Sequence, residues 1–219
     1  MKKNKNHIGI DISKLSFDVA IKNENDKYLH FKFSNDSKGF TEFINLLDQN
    51  FSICVMEASG PYYLKLATYL FNKKVSVCVI NPLVIRRFSQ MRMSRTKTDK
   101  KDAVIIAEYG KTEKPNLWEP EADYVLEIKQ MQAFVEQMNK SRTGFIRQRE
   151  AFKHNTVEAF VWNDSLEKMI NLIEPEIALI EDKMIAIIHH HHNQLFKQLQ
   201  SIPGIGRKTA MLLIVISGG

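Results

Sequence analysis

The sequence predicts an α/β fold in which a mixed sheet carries helices on its faces and is followed by long helices. Three apolar runs, separated by short polar segments, open the chain and are typical of a meander of strands. Helical and strand-like patterns then alternate, which favours a mixed sheet with helical faces. Beyond Trp118 the apolar residues recur at alternating steps of four and three, the spacing of a narrow seam on a long helix.

The predicted meander comprises residues 8–10, 17–21 and 28–33, which are apolar runs of strand length. A helix is predicted over 39–47, because its large apolar side chains fall on one face. The chain then enters a short buried strand that ends at Glu57.

Proline and glycine mark the next predicted elements. The pair Gly60-Pro61 predicts a helix start with proline at the first position, and residues 62–71 carry the helical pattern. Residues 75–80 are a further apolar strand, closed by Asn81-Pro82. A later helix is expected to end at Gly110, since glycine is the favoured residue just past a helix end.

Two stripes of apolar residues predict two long helices in the second half of the chain. The first stripe covers residues 124–152 and the second covers 166–187. Pro175 lies within the second stripe, so we expect a kink or a new helix start there. The two helices are expected to form an antiparallel hairpin or a dimerising coiled coil.

Composition favours a globular protein with a polyanionic partner. The 219 residues are 44% hydrophobic and 26% charged, which is ordinary for a globular chain. The net charge is +6 and the isoelectric point is near 9.2, so nucleic acid is a candidate partner. No apolar run approaches the roughly 18 residues of a membrane-spanning helix, and Asp11 interrupts any signal-peptide pattern. We therefore expect a cytoplasmic protein without membrane contact.

Four acidic residues stand where a sheet could bring them together. Asp11 ends the first strand, Glu57 ends the fourth, and Asp99 and Asp102 lie three apart at the start of a helix. Convergent carboxylates repel one another unless divalent cations lie between them, and oxygen ligands favour Mg²⁺ or Mn²⁺. Two such ions can activate a nucleophile and stabilise a leaving oxygen on a phosphodiester.

Each acid also has an ordinary interpretation when it is taken singly. Asp11 could be a turn residue and Glu57 an exposed strand end. Asp99 and Asp102 could be first-turn acids that the helix dipole favours. The strand order around them is what favours a common site.

Basic residues cluster beside these acids. A run next to the acidic pair would hold phosphates near the ions, although it could also be a solvated loop. Its members are Arg86, Arg87, Arg92, Arg95, Lys97, Lys100 and Lys101. Arg142 and Arg149 fall on the seam of the first long helix, which favours either nucleic-acid contact or a change of helix direction near Gly144.

A glycine-rich segment near the end of the chain fits a helix-hairpin-helix. Gly204 and Gly206 would let backbone amides approach a phosphate, and Lys208 would add charge. The alternative is a plain tight turn between two helices.

Five segments of the chain carry a family resemblance. They read HIGIDISKLSFDVAI, CVMEASGPY, VINPLVIRRFSQ, KTDKKDAVIIAEYG and LQSIPGIGRKTAMLLIVIS. The first four resemble, in order, segments of the DEDD transposases of insertion sequences, which are related to the Piv-type DNA invertases. The fifth resembles the start of that family's C-terminal domain.

The resemblance implies a fold and a site. Residues 1–119 would form an RNase H-like (RuvC-like) domain, 120–197 a coiled-coil-like region of long helices, and 198–219 the start of a helix-hairpin-helix domain. The four acids would match the family's DEDD tetrad, both as catalytic residues and as ligands of Mg²⁺ or Mn²⁺.

The resemblance also implies an activity. Family members are recombinases that act on element ends and target DNA, are guided by a structured RNA and use a serine nucleophile in the C-terminal domain. This sequence ends at Gly219, and Ser217 lies too early to match that serine. We therefore expect a C-terminally truncated chain that is inactive alone, and a homodimer or tetramer built on the long helices.

Other functions remain open at this point. The same acids could serve an independent junction-resolving nuclease, or the chain could be a catalytically silent remnant that binds element RNA or DNA. The GIDIS segment would also suit an actin-like kinase or ATPase, but the sequence contains no later glycine-rich phosphate loop.

Overall fold

The computed structural model of the protein describes residues 6–48, 50–92, 99–154 and 160–217, with backbone alone at 99, 100, 160 and 161. The chain divides into two compact units, Met1–Pro120 and Glu121–Gly219. Each unit has a hydrophobic core of its own.

The first unit is built on a five-stranded mixed sheet. Its strands are β1 (Asn6–Ile12), β2 (Ser16–Lys22), β3 (Tyr28–Ser34), β4 (Ser52–Glu57) and β5 (Ser76–Ile80), in the order β3-β2-β1-β4-β5. The first three strands pair antiparallel and form the predicted meander. β4 pairs parallel with both β1 and β5, so the predicted mixed sheet is confirmed. Parallel pairing means that β1, β4 and β5 end at the same edge of the sheet, which we call the carboxyl edge.

The described residues of the two units contain seven helices. They are α1 (Ser37–Ile44), α2 (Leu64–Asn72), α3 (Pro82–Met91) and α4 (Asp99–Glu113) in the first unit, and α5 (Asp123–Lys153), α6 (Phe160–Gln200) and α7 (Arg207–Ser217) in the second. The helix predicted over 39–47 corresponds to α1, which begins two residues earlier after its N-cap residue Asp36.

The predicted start of α2 at Gly60-Pro61 is wrong. Gly60 has φ +56, a left-handed conformation that a helix cannot include, so residues 60–63 form turns and the helix begins at Leu64. The proline-first start occurs instead in α3, where Pro82 is the first helical residue. The Asn81 side chain caps that helix by accepting a hydrogen bond of 2.8 Å from the Leu83 amide.

One face of the sheet carries the main core of the first unit. α1 and α2 pack there against inward side chains of the strands, including Ile10, Phe17 and Met56. Phe17 lies at the centre of an aromatic cluster, with ring centroids 5.4 Å from Phe33 and 5.5 Å from Phe43. This burial fixes which face of each strand points away from α1 and α2.

The opposite face is covered by α4, which approaches the sheet backbone closely. A Cβ added at Gly9 would lie 1.9 Å from the Ala103 carbonyl oxygen and 2.4 Å from the Ala107 amide nitrogen. A Cβ at Gly110 would lie 2.4 Å from the Val55 side chain. The prediction that α4 ends at Gly110 is therefore wrong: this glycine permits close packing inside the helix, which continues to Glu113.

The second unit contains two long helices that pack antiparallel. The beginning of α5 contacts the end of α6 through Tyr124 and His192, and Arg142 near the middle of α5 pairs with Glu174 of α6. Buried residues of both helices and of α7 form one continuous core. The antiparallel hairpin, one of the two arrangements predicted, is the one observed within the chain.

The predicted new helix start at Pro175 is wrong. The backbone of α6 remains helical through Pro175, where the buried residues Ile173 and Ile177 hold the helix in the core. The helical geometry is broken instead at His192, with φ −138 and ψ 36. The Tyr124 hydroxyl lies 2.7 Å from His192 Nε2, so the break coincides with a contact between the two helices.

Within the described ranges, none of the helices combines the length and the hydropathy that crossing a bilayer requires.

The contact between α4 and β1 predicts a large effect of a very small substitution. Gly9→Ala should destabilise the first unit by about 1–3 kcal/mol or more, because the added methyl group overlaps backbone atoms that cannot rotate away. The measurement is chemical denaturation followed by circular dichroism.

Gly144→Ala is the matched control, because a Cβ there meets no heavy atom within 4 Å. It lies inside α5, where alanine should stabilise the helix by up to about 1 kcal/mol. Equal stability of Gly9→Ala and the wild type would contradict the close packing of α4 on β1.

Candidate active site

Asp11 lies on the sheet face that α4 covers. Gly9 points toward α4, and side chains two residues apart on a strand share a face, so Asp11 belongs to the same face. It stands one residue before the end of β1 and is half-buried. The sheet therefore presents this carboxylate at the carboxyl edge, next to the start of α4.

Glu57 occupies the neighbouring position on β4. The register pairs Gly9 with Val55 and Ile10 with Met56, so the next pair along the parallel strands is Asp11 with Glu57. Laterally paired residues lie on the same face, about 4.8 Å apart between strand axes. The pairing brings the first two predicted acids to adjacent positions of one face.

The start of α4 is level with Asp11. Gly110 packs near His7, and Ala103 and Ala107 pack on Gly9, so α4 runs antiparallel to β1. Two strand residues rise about 6.6 Å, which corresponds to roughly four helix residues. The first turn of α4 therefore lies level with Asp11, two residues beyond Gly9 on β1.

That first turn contains the two remaining predicted acids. Asp99 is the first residue of α4, and its side chain lies outside the described part of the structure. Asp102 is half-buried and lies four residues before Ile106, which is fully buried against the sheet. Residues four apart share a helix face, so Asp102 lies on the side of α4 that faces the sheet.

The described side chains form no complete set of metal ligands. No group of three or more His, Cys, Asp or Glu residues among them is arranged to hold an ion. The Asp99 side chain is not among those described, so this result does not apply to the complete set of four predicted acids.

A fifth acid, Asp18, was missed by the sequence analysis. It pairs with Asp11 across β1 and β2, so it lies on the same face. Asp18 is only 8% exposed, and its Oδ2 lies 3.3 Å from the Nζ of Lys32, its partner on β3. An acid inside the apolar run 17–21 was the signal that could have identified it.

Asn35, also missed, ties together the loops that follow the two acidic strands. Its Nδ2 donates hydrogen bonds to the Ser13 carbonyl oxygen at 2.9 Å and to the Tyr62 carbonyl oxygen at 3.2 Å. Its Oδ1 is buried and has no hydrogen-bond partner among the described residues. Because one amide bridges both loops, the ends of β1 and β4 are held in a fixed relation.

The predicted basic run is divided by the structure. Arg86 and Arg87 are exposed on α3. Arg92, just past that helix, lies 3.2 Å from a Glu108 carboxylate oxygen and over the Phe88 ring. Lys101 is exposed in the first turn of α4. Three predicted members remain. Arg95 and Lys97 lie outside the described residues, and for Lys100 only the backbone is described.

Two of the predicted basic residues of the second unit, Arg142 and Lys208, have acidic partners within it. Arg142 pairs with Glu174 at 3.0 Å, and Lys208 pairs with Glu181 at 2.6 Å. The Nε atoms of Arg142 and Arg149 are buried and have no hydrogen-bond partner among the described residues. These unpaired donors are what distinguishes the seam arginines from ordinary surface cations.

The predicted hairpin glycines lie between α6 and α7. Gly204 has φ +89, a conformation that favours glycine. A Cβ added at Gly204 or at Gly206 would meet no neighbouring heavy atom within 4 Å. The backbone of this turn is therefore open to close approach by a ligand.

The two cysteines are poor nucleophiles. Burial raises the pKa of the Cys54 thiol far above its ordinary value and that of Cys78 to about 11. Cys78 also donates to the Pro115 carbonyl oxygen at 3.5 Å. Both thiols stay protonated at neutral pH, so neither is suited to act as a thiolate nucleophile.

Comparisons with known proteins identify the family of the chain. Residues 8–152 match the family model of DEDD transposases of the IS110 type, described as a transposase. The chain is 31% identical to the pilin gene-inverting protein of Moraxella lacunata and 32% identical to that of Moraxella bovis, in alignments of 229 positions. These alignments cover 98% of the chain and 66% of each relative, so the chain spans just under two thirds of their length.

The mixed sheet, with α4 on one face and α1 and α2 on the other, is consistent with an RNase H-like transposase fold. The family model covers more than half of the chain, with all of β2 to β5 and most of β1. The chain therefore belongs to the DEDD transposase family of insertion sequences.

Proposed function

We propose that this chain is the nucleic-acid-processing part of an insertion-sequence transposase or site-specific recombinase, with its active site at the carboxyl edge. The observation that carries the proposal is the parallel register of β1 and β4, which leads Asp11 and Glu57 to neighbouring positions on the face that α4 covers. Asp99 and Asp102 in that turn complete the proposed tetrad. The names of the pilin gene-inverting relatives support DNA rearrangement as the activity of the whole protein.

Mg²⁺ or Mn²⁺ fits the donor chemistry of this site. Asp11, Glu57, Asp99 and Asp102 would hold the ions through carboxylate oxygens, the ligands that these hard cations prefer. When bound, the ions would activate a nucleophile and stabilise the leaving oxygen of a phosphodiester. Asp11, Glu57 and Asp102 are half-buried, a degree of burial that is compatible with a ligand role.

The chain's own residues would bind and orient the nucleic acid. Arg86 and Arg87 are exposed on α3, which follows directly from the carboxyl end of β5 and so begins at the same edge as the acids. Their charges would attract the phosphate backbone of DNA or of a structured guide RNA. In the second unit, the open backbone at Gly204 and Gly206 would serve as a phosphate contact of a helix-hairpin-helix, with Lys208 beside it.

We also propose that the chain assembles as a homodimer or tetramer through its long helices, in a coiled-coil manner. α6 buries one apolar stripe against α5 and exposes further large apolar residues. Trp162 is 61% exposed and Leu172 is 69% exposed. A second copy of these helices would cover such residues.

The proposed metal site predicts that Asp11→Asn weakens Mn²⁺ binding by at least about ten-fold, because the substitution removes a charged oxygen ligand and keeps the shape. Isothermal titration calorimetry measures the affinity. Glu42→Gln is the control, since Glu42 is an exposed carboxylate on α1, on the other face of the sheet. Equal affinity of wild type and Asp11→Asn would remove the metal-site proposal.

The proposed nucleic-acid contacts predict a change in salt dependence. The double variant Arg86→Gln/Arg87→Gln should flatten the plot of log affinity against log salt by about 0.9 per lost duplex contact. Fluorescence anisotropy with a labelled four-way DNA junction measures it. Lys73→Gln, an exposed lysine after the far end of α2, should leave the slope unchanged. An unchanged slope in the arginine variant would mean that these residues are solvated surface.

A further inference from the structure

The row of charges at the carboxyl edge continues past the acids to a lysine. Asp11 pairs with Asp18 on β2, and Asp18 pairs with Lys32 on β3. All three share the face that α4 covers, together with Glu57 on the other side of Asp11. Across the sheet the row reads Lys32, Asp18, Asp11, Glu57.

The row lies directly beyond a row that contains no acid, lysine or arginine. Moving toward the amino ends of β1, β4 and β5, the preceding positions are His30, Ala20, Gly9, Val55 and Cys78. Ala20, Val55 and Cys78 are buried there beneath α4. On β1, β2 and β4 the change from buried uncharged side chains to carboxylates occurs in a single step toward the carboxyl edge, at the level where α4 begins, whereas on β5 the position beside Glu57 is the buried Ile80.

Burial of the Asp18 carboxylate costs desolvation free energy, which suggests that this residue has a role other than stabilising the fold. A buried ion pair is commonly no more stabilising than apolar residues of the same size. Ala20, the neighbour of Asp18 on the same face of β2, is a fully buried apolar residue. An acid with only 11% of its side chain exposed is therefore an unexpected choice at this position.

Lys32 pairs with Asp18 but remains largely exposed to solvent. Its side chain is 59% exposed, and its ammonium lies 3.3 Å from the Asp18 carboxylate. An ammonium carries three donors, so the pair with Asp18 leaves capacity for an outside acceptor. An anchored cation with remaining donors is suited to a phosphate oxygen.

The spacing of the row suits a nucleic-acid strand. β3 is two strands away from β1, or about 10 Å at the usual distance between neighbouring strands. One strand of DNA places a phosphate about every 3.4 Å along the helix axis. Lys32 is thus within reach of a phosphate a few nucleotides or fewer from one that lies at Asp11.

We propose that Lys32 binds a backbone phosphate of the strand whose reacting phosphate lies at Asp11 and Glu57, and that Asp18 is the positioning residue that holds the Lys32 ammonium. This assignment rests on the proposed function, because it takes the acids as the reacting site. If Lys32 holds such a phosphate, the bound nucleic-acid strand crosses the sheet from β1 over β2 to β3.

The test uses a synthetic four-way DNA junction in which one phosphate near the crossover at a time is replaced by a neutral methylphosphonate. Binding is measured by anisotropy with Ca²⁺, so that the junction stays intact. For wild type, neutralising the phosphate that contacts Lys32 should weaken binding. For Lys32→Gln, neutralising that same phosphate should no longer change the affinity, and the slope of log affinity against log salt should fall by about 0.9. Lys32→Arg should restore both the phosphate effect and the slope.

Asp18→Asn separates positioning from mere charge. Removing a negative charge should maintain or raise overall affinity, but the loosened lysine should spread the methylphosphonate effect over neighbouring phosphates. Lys73→Gln is the matched control and should reproduce the wild-type pattern. If Asp18→Asn keeps the sharp wild-type pattern, Asp18 does not position Lys32.

The outcomes distinguish this inference from the proposed function. A wild-type chain that binds no junction, or responds to no neutralised phosphate, overturns the proposed function. A wild-type response that Lys32→Gln leaves unchanged overturns the assignment of Lys32 alone. Because Lys32 is largely exposed, circular dichroism of its variants should match the wild type and exclude misfolding as the cause.

Discussion

The close approach of α4 to β1 at Gly9 is the contact on which the rest of the first unit depends. With hydrogen in place of a side chain, the Ala103 and Ala107 backbone can lie directly on the strand. That contact fixes the level of the helix along β1 and places its first turn beside Asp11. A larger residue at Gly9 would shift α4 outward and separate its acids from those of the sheet.

The same geometry concentrates negative charge at one edge. Asp11, Asp18 and Glu57 occupy neighbouring positions on three strands, and Asp102 approaches from the helix. Such a group is unfavourable unless positive charge lies near it. Lys32 offsets the charge of Asp18 at one end of the row. In our account, divalent cations and the basic residues around the site offset the rest.

The sequence predicted the strands, because apolar runs of strand length are local patterns, and the site role of the four acids stays a prediction. It did not predict the role of Gly110, since a glycine that ends a helix and one that packs against Val55 look alike until the sheet is present. Asp18 and Asn35 were missed for the same reason. Their partners, Lys32 and the carbonyls of Ser13 and Tyr62, are brought near by strand register and loop contacts that local patterns do not encode.

The central claim is that the acids of the sheet and of α4 form one cation site at the carboxyl edge. A crystal structure of the chain grown with Mn²⁺, with anomalous scattering used to locate the ions, tests it most directly. Our account predicts anomalous density between Asp11 and Glu57, within coordination distance of the first turn of α4. Ordered Mn²⁺ bound only elsewhere, with these carboxylates turned apart, would contradict it.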